Sequence, residues 1–347
     1  MDTKVTYVGL DVHPKSILAM WGKAKEKADW REFPNTDVGV KWMVQMIGTT
    51  HVRAVYEACG EGYGLHDRLT QEGWKVDVLA PTKILKSVAQ RKRKTDVRDA
   101  QMLHELVMSH GELGTKLPRI WIPDRATREH RELVRRRLKL GAQVSRVKTT
   151  IRSLLLMHQI TAPEDLKTTW TRKHLKWLTG LTAARSPVGM EVRLVLASHL
   201  RELEFMQQEA ESTRKAIHQL SEAPRYKAPA ERLSRIRGVG LLTAMSFLTE
   251  MGDVHRFQNR RQVASYIGLV PTTNESGQAD NRKGHITRMG SAGIRKTLNQ
   301  ASWVFLRLNP AWRGWYERVA HRRGTKRAIV GVMRRLGILL WQEAKAA

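Results

Sequence analysis

The sequence predicts a multidomain chain, an α/β unit followed by a mainly helical remainder. Three observations support this. Residues 5–110 alternate β-rich apolar runs with segments of helical period. Two Pro-bounded stretches, 118–123 and 223–230, read as linkers. Most of the chain after Arg125 carries helical patterning. At 347 residues the chain is long for one core, because domains usually run about 100–200 residues. The expected division is 1–120, 121–225 and 226–347.

The elements follow in order. Residues 5–11 form a short apolar strand, and 16–24 and 30–36 can follow as hairpin-linked strands. Residues 37–48 read as a helix with Val38, Trp42, Met43 and Met46 on one side. Residues 52–58 give another strand, 62–73 a helix closed by Gly73, and 75–81 a strand ended by Pro81, with helix onward to about His110. Three antiparallel strands followed by β-α-β-α make a mixed sheet. From Arg125 to about Ile160 the pattern is one long helix, and residues 189–222 form another. Together they suggest an antiparallel hairpin or coiled coil, with a short insert carrying Trp170 and Trp177 between them. The last part opens with two helices joined at Gly238-Val239-Gly240 and closes with helices near 291–308 and 326–345.

Composition narrows the function. Lys and Arg number 61 against 33 Asp and Glu, a formal charge of +28. Solubility needs a net charge of only about 2–8, so a polyanion, nucleic acid first, is the expected partner. One cysteine, Cys59, makes no internal disulfide and no cysteine-based zinc site. No apolar run approaches the ~20 residues that span a bilayer, and the N-terminal run is too short for a signal peptide. A soluble, cytoplasmic protein without a membrane partner is expected.

Four acids stand out by position. Asp11 ends the first strand, Glu57 ends the strand at 52–58, and Asp96 and Asp99 share a helix face three residues apart. Carboxylates at strand ends and on an adjacent helix suit a hard divalent ion such as Mg²⁺, and paired ions can clamp the two oxygens of a phosphodiester under attack. That arrangement is the one used by nucleases of the RNase H and resolvase group. Taken singly, each acid is equally a turn former, a cap or a solvated helix residue. Arg91, Lys92, Arg93 and Lys94 precede the Asp pair and can neutralise phosphates beside it. Arg135, Arg136 and Arg137 lie in the most basic stretch of the long helix.

The C-terminal part adds two candidates. Gly238 and Gly240, beside Arg237, can bring backbone N–H groups close to a phosphate in a helix-hairpin-helix-like turn, or can simply permit packing. Ser276 lies in the polar loop 271–284, with Arg282, Lys283 and Arg288 nearby. A serine hydroxyl can attack a phosphodiester where cations stabilise the developing charge, although Ser-Gly is also ordinary turn chemistry. The aromatics Trp303, Trp312, Trp315 and Tyr316 fit base stacking, but core anchoring is favoured for most of them.

The ordered blocks YVGLDVH, YEACGEGYG, KTDVRDA, RIRGVG, ASYIGLVPTTNESG and RKGHITRMGSAGIRK resemble the insertion-sequence 110 family of bacterial transposases over nearly the whole chain. The resemblance implies an RNase H/RuvC-like N-terminal domain, a helical coiled-coil middle and a mainly helical C-terminal transposase domain. It implies a Mg²⁺ site at Asp11, Glu57, Asp96 and Asp99 and a nucleophile at Ser276 that forms a phosphoserine link to DNA. It also implies double-stranded donor and target DNA, a structured non-coding guide (bridge) RNA, and a homo-oligomer, a dimer that becomes a tetramer when active. Cys59 stands where the family's acid motif commonly has a small hydroxyl residue. Glu61 is a second acid near Glu57, and Glu57 is chosen because it ends the strand.

Two other classes fit parts of the sequence. A RuvC-type junction nuclease would keep the four acids and lose the covalent serine step. A non-catalytic nucleic-acid binder would tolerate alanine at all four. An actin-like ATPase is disfavoured because His13-Pro14 follows Asp11 and Val12, where a phosphate loop wants Gly and Thr.

Overall fold

A computed structural model describes residues 5–23, 27–84, 95–166, 168–273 and 283–347. The chain divides into two compact units, Met1–Pro123 and Asp124–Ala347. The helical middle expected at 121–225 therefore packs, from Asp124 onward, with the C-terminal part.

In the first unit the described strands are β1 (Thr6–Val12), β2 (Ser16–Lys23), β3 (Asp29–Pro34), β4 (Val52–Glu57) and β5 (Lys75–Leu79). They form one sheet in the order β3-β2-β1-β4-β5. β1, β2 and β3 pair antiparallel, and β1, β4 and β5 pair parallel. The mixed sheet follows from connection length: only a few residues separate the first three strands in sequence, while helices α1 (Asp37–Ile47) and α2 (Gly64–Gln71) carry the crossovers to β4 and β5. Thr36 caps α1 by accepting from the Gly39 amide.

β1 is buried on both faces, and its alternation separates two cores. Val8 and Leu10 join the cluster with Val40, Met43, Leu65 and Leu69 of α1 and α2. Tyr7 joins the cluster with Leu103 and Val107 of α3 (Asp96–Leu113). The stretch expected to be a linker at 118–123 instead pairs with the sheet edge. Leu79 and Arg119 form an antiparallel bridge, and the Ile120 amide donates to the Val78 carbonyl. Its extended, Pro-bounded backbone suits edge pairing as well as it suits a tether.

The second unit is helical. α4 (Arg125–Met157), α5 (Arg172–Gly180) and α6 (Met190–Ser221) come first. Leu196, Leu203, Ala210 and Ile217 are the buried apolar residues of α6, a seven-residue repeat that makes a narrow seam. Ile151 and Leu155 of α4 cluster with Leu196 and Leu203, and Val134 clusters with Ile217, so α4 and α6 run antiparallel. α7 (Lys227–Ser234), α8 (Leu241–Met251), α9 (Arg260–Ile267), α10 (Ala292–Leu308), α11 (Pro310–Arg323) and α12 (Thr325–Lys345) follow, with a two-stranded ribbon of β6 (Pro271–Thr273) and β7 (Lys283–Ile286). α8 is buried from Ala244 to Met251, the mark of a central core helix.

The second expected linker, 223–230, is corrected by this packing. Tyr226 and Ala230 are core residues and α7 begins at Lys227. Pro229 is tolerated because it lies in the first turn, where no intrahelical N–H bond is lost. α9 and α11 also appear where no helix was expected.

Candidate functional site

Helix α3 is held directly on β1, and that contact builds the site. A Cβ at Gly9 would stand 2.2 Å from the His104 amide nitrogen and 2.3 Å from the Ala100 carbonyl oxygen. Only glycine admits the helix backbone this close. Tyr7, Gly9 and Asp11 share this face of β1. Tyr7 lies under Gly111 and donates to Glu112 Oε1 at 2.6 Å. Gly9 lies under Ala100 and His104, which leaves Asp11 at the end nearest the first turn of α3. Thr95 caps that turn through the Arg98 amide, and Asp96 and Asp99 fall within it, where the helix dipole favours negative charge.

Asp11, His13 and Asp96 converge there. His13 Nε2 lies 3.2 Å from Asp11 Oδ2 and 3.6 Å from Asp96 Oδ2. One donor atom from each of the three residues fits within 4.8 Å of the others. Side-chain exposures of 20% for Asp11, 43% for His13 and 59% for Asp96 leave the cluster open to an incoming ion. Burial pushes the Asp11 carboxyl above its ordinary range, His13 pulls it back, and the charges of Asp96 and Asp99 push it up again. The turn holding His13 is pinned, since Asn35 Nδ2 donates to the His13 carbonyl and Arg68 donates to Asn35 Oδ1.

Glu57 stands beside Asp11. The parallel register pairs Leu10 with Tyr56, so the two acids are the next residues on neighbouring strands, at the carboxyl ends where open α/β sheets bind ligands. Glu57 is half-buried and Glu61 is exposed. The three-donor cluster thus holds Asp11 and Asp96, with Asp99 coupled to Asp11 through its charge and Glu57 on the adjacent strand end.

His13 is the residue that the sequence reading missed. Its signal was the Asp-x-His spacing at a strand end, which puts both side chains on one side. The donor set, mainly carboxylate oxygens with one imidazole, fits a divalent cation, and the mutual repulsion of the acids is what such a cation relieves.

The other expected site residues fall elsewhere. Ser276, Arg91, Lys92, Arg93, Lys94 and Arg282 lie outside the described residues. Lys283 opens β7, and Arg288 is exposed just beyond it with φ at 53°. Arg136 is exposed and Arg137 half-buried on α4, whereas Arg135 grips Glu250 through two hydrogen bonds of 2.8 and 3.1 Å. At the glycine turn Arg237 is exposed. Gly238 has φ at 91° and a Cβ there would meet the Phe305 amide at 2.7 Å, so this glycine serves packing against α10. Gly240 faces open space at the start of α8 and leaves that helix end unobstructed. Trp312, Trp315 and Tyr316 pack against the cores and Trp303 is 45% exposed. Among the described residues no helix is long and apolar enough to cross a membrane.

Comparison with known proteins adds an independent finding. A family model described as transposase IS116/IS110/IS902 family matches residues 230–317, and a transposase model of the DEDD, IS110 type matches 8–159. Together they cover the acid cluster and most of the C-terminal bundle. The chain is 29% identical over 309 residues to the transposase-named protein y4qE of Sinorhizobium fredii, covering 88% of this chain and 73% of that one. It is 28% identical to the transposase for insertion sequence element IS1533 of Leptospira borgpetersenii, over 86% of this chain and 84% of the relative. A pilin gene-inverting protein of Moraxella bovis is 30% identical over 115 residues, covering 33% of this chain and 36% of that one.

Proposed function

The chain belongs to the IS116/IS110/IS902 family of transposases, and from that premise we propose that it cuts and rejoins DNA with a serine nucleophile assisted by a divalent-metal site. The observation that carries the reading is the convergence of Asp11 and Asp96 with His13 at the strand ends, with Asp99 and Glu57 beside them. Asp11, Glu57, Asp96 and Asp99 would hold Mg²⁺, with His13 supporting Asp11 and Asp96. When bound, the ion supplies charge stabilisation for an attacked phosphodiester. The mixed sheet with an acid-bearing helix on one face supports a RuvC-like first domain, followed by a coiled-coil middle and a transposase domain.

Ser276 Oγ attacks the phosphorus of a DNA phosphodiester and gives up its proton to a base. The P–O bond to the leaving DNA oxygen breaks, and that oxygen takes up a proton. Attack by a DNA hydroxyl on the phosphoserine then rejoins the strand and restores the serine. Arg282, Lys283 and Arg288 stabilise the developing charge. A structured guide RNA selects donor and target duplexes by base pairing while the protein holds backbone and shape. A homo-oligomer brings acids and serine of different subunits together.

The test is to trap a covalent protein–DNA adduct with the full chain, divalent metal and its RNA. Wild type gives the adduct and Ser276→Ala gives none. Recombination that persists in Ser276→Ala overturns the serine step, and metal-dependent cleavage without an adduct shows a RuvC-type nuclease instead.

A further inference from the structure

The sheet face that ends in acids at one edge ends in bases at the other. Register places Tyr7, Arg53 and Lys75 in one row across β1, β4 and β5, and Gly9, Val55 and Asp77 in the next. Asp11 and Glu57 follow two residues further on. Arg53 and Lys75 therefore project side by side from strands about 4.8 Å apart. Like charges at that spacing repel, and among the described residues neither side chain has an acid hydrogen-bonded or ion-paired to it. They open with Asp77, Val107, His110 and Arg119 into a cavity of about 210 Å³.

The third cation is placed by its neighbours. Arg119 forms an ion pair with Asp77 Oδ2 at 2.9 Å and donates to His110 Nε2 at 2.7 Å. His110 accepts from a permanently protonated guanidinium, so its proton sits on Nδ1, which faces the Thr115 carbonyl. The other acid near this end, Glu112, accepts from Tyr7. Three cations thus line the cavity against one lining carboxylate, two on strands and one on the extended stretch that pairs with the sheet edge. Arg53 and Lys75 stand four residues from Glu57 and Leu79, about 13 Å along the strands, with the length of α3 between the two ends. The basic cavity is therefore separate from the acid cluster.

We propose that this cavity is a phosphate-binding site that grips the sugar–phosphate backbone of a nucleic acid during the reaction. An anion there relieves the Arg53–Lys75 repulsion, and Arg119 offers a planar fork suited to phosphate. The choice of a nucleic acid over a free phosphate rests on the transposase reading. The geometry of the cavity does not depend on that reading.

The experiment measures binding of the full chain to a short double-stranded DNA and to a single-stranded RNA across a salt titration, without divalent metal. Lys75→Ala and Arg53→Ala are each expected to weaken binding to at least one of the two about 3–10-fold, whatever its sequence, and to lower the log–log salt slope by about one. Lys75→Arg is expected to restore both. Strand cutting is read separately: its loss in Asp11→Asn or Ser276→Ala tests the acid cluster and the serine step and does not bear on the cavity. Folded Lys75→Ala and Arg53→Ala proteins, matched to wild type by circular dichroism, that keep the wild-type slope on both probes overturn the proposal. Stabilisation by inorganic phosphate that those variants abolish while nucleic-acid binding stays intact also overturns it, and marks a small-phosphate site.

Discussion

Glu250 in the helical unit and Asp11 in the sheet unit are two carboxylates with opposite treatment. Glu250 is buried, and both its oxygens meet the Arg135 guanidinium. The carbonyls of Thr249 and Glu250, at the end of α8, are taken by the buried Arg131. The charge of Glu250 there has its counter-charge in place, and the guanidinium of Arg131 has carbonyls to donate to. Asp11 is also largely withdrawn from water, yet the residues turned toward it include two more acids and a single histidine. A buried acid matched within the chain is architecture. A partly buried acid crowded by like charge is a candidate to take its counter-charge from outside.

The largest effect that sharpens this contrast is on chemistry. Asp11→Asn and Asp96→Asn should each lower metal-dependent strand cutting by about 10²–10³-fold or more, an expectation from the size of single charge-stabilising groups, measured in single-turnover assays. They should leave the fold intact. Equal cutting by the variants would show that the cluster is not the metal site. Glu250→Ala should do the reverse, costing about 1–3 kcal/mol of stability in denaturant titration, since it takes the buried carboxylate away from Arg135, which is partly exposed and, among the described residues, keeps only Glu132. Gly9→Ala links the two kinds of effect. It should cost about 1–3 kcal/mol by overpacking and should also lower cutting beyond that loss, because α3 carries Asp96 and Asp99 away from Asp11.

The smallest effects are in pH dependence, and the two units differ in sign. Asp11 has its carboxyl raised, so its contribution to metal-free stability is full below the unfolded value near 4 and is lost as pH rises through the raised value. Asp124 caps α4 and is held well below the carboxylate range, first by Arg225. Its contribution is present above about pH 4 and is lost as pH falls. Asp11→Asn should flatten the first limb of the stability profile and Asp124→Asn the second, read as denaturation midpoint against pH without metal.

The strands of the first unit and its helices α1 and α2 were legible in the sequence to within a few residues, because alternation and turn residues there are local signals, while the helix expected onward from Pro81 is described only from Asp96, with 85–94 outside the described residues. The acids Asp11, Glu57, Asp96 and Asp99 were legible as candidates for the same reason. His13 was passed over, since its Asp-x-His spacing is a weak signal until the side chain meets Asp96, 83 positions away in the chain. α11 was missed because its apolar contacts, Trp312, Trp315 and Tyr316, are only partly buried and sit among basic residues, which blurs the apolar period. Residues 223–230 looked like a tether because polar groups and Pro229 hide the two residues that anchor them, Tyr226 and Ala230.

Arg53, Lys75 and Arg119 show the same limit, since nothing along the chain announces that they share a cavity. The sequence by itself determined the alternation of elements, the excess of positive charge and the family, because these depend on residue type and order. Tertiary structure alone decided which charges are cancelled and which are left to face an open space. Electrostatic energy depends on distance and burial, and both are set by how Gly9 lets α3 lie on β1 and by the strand register that follows.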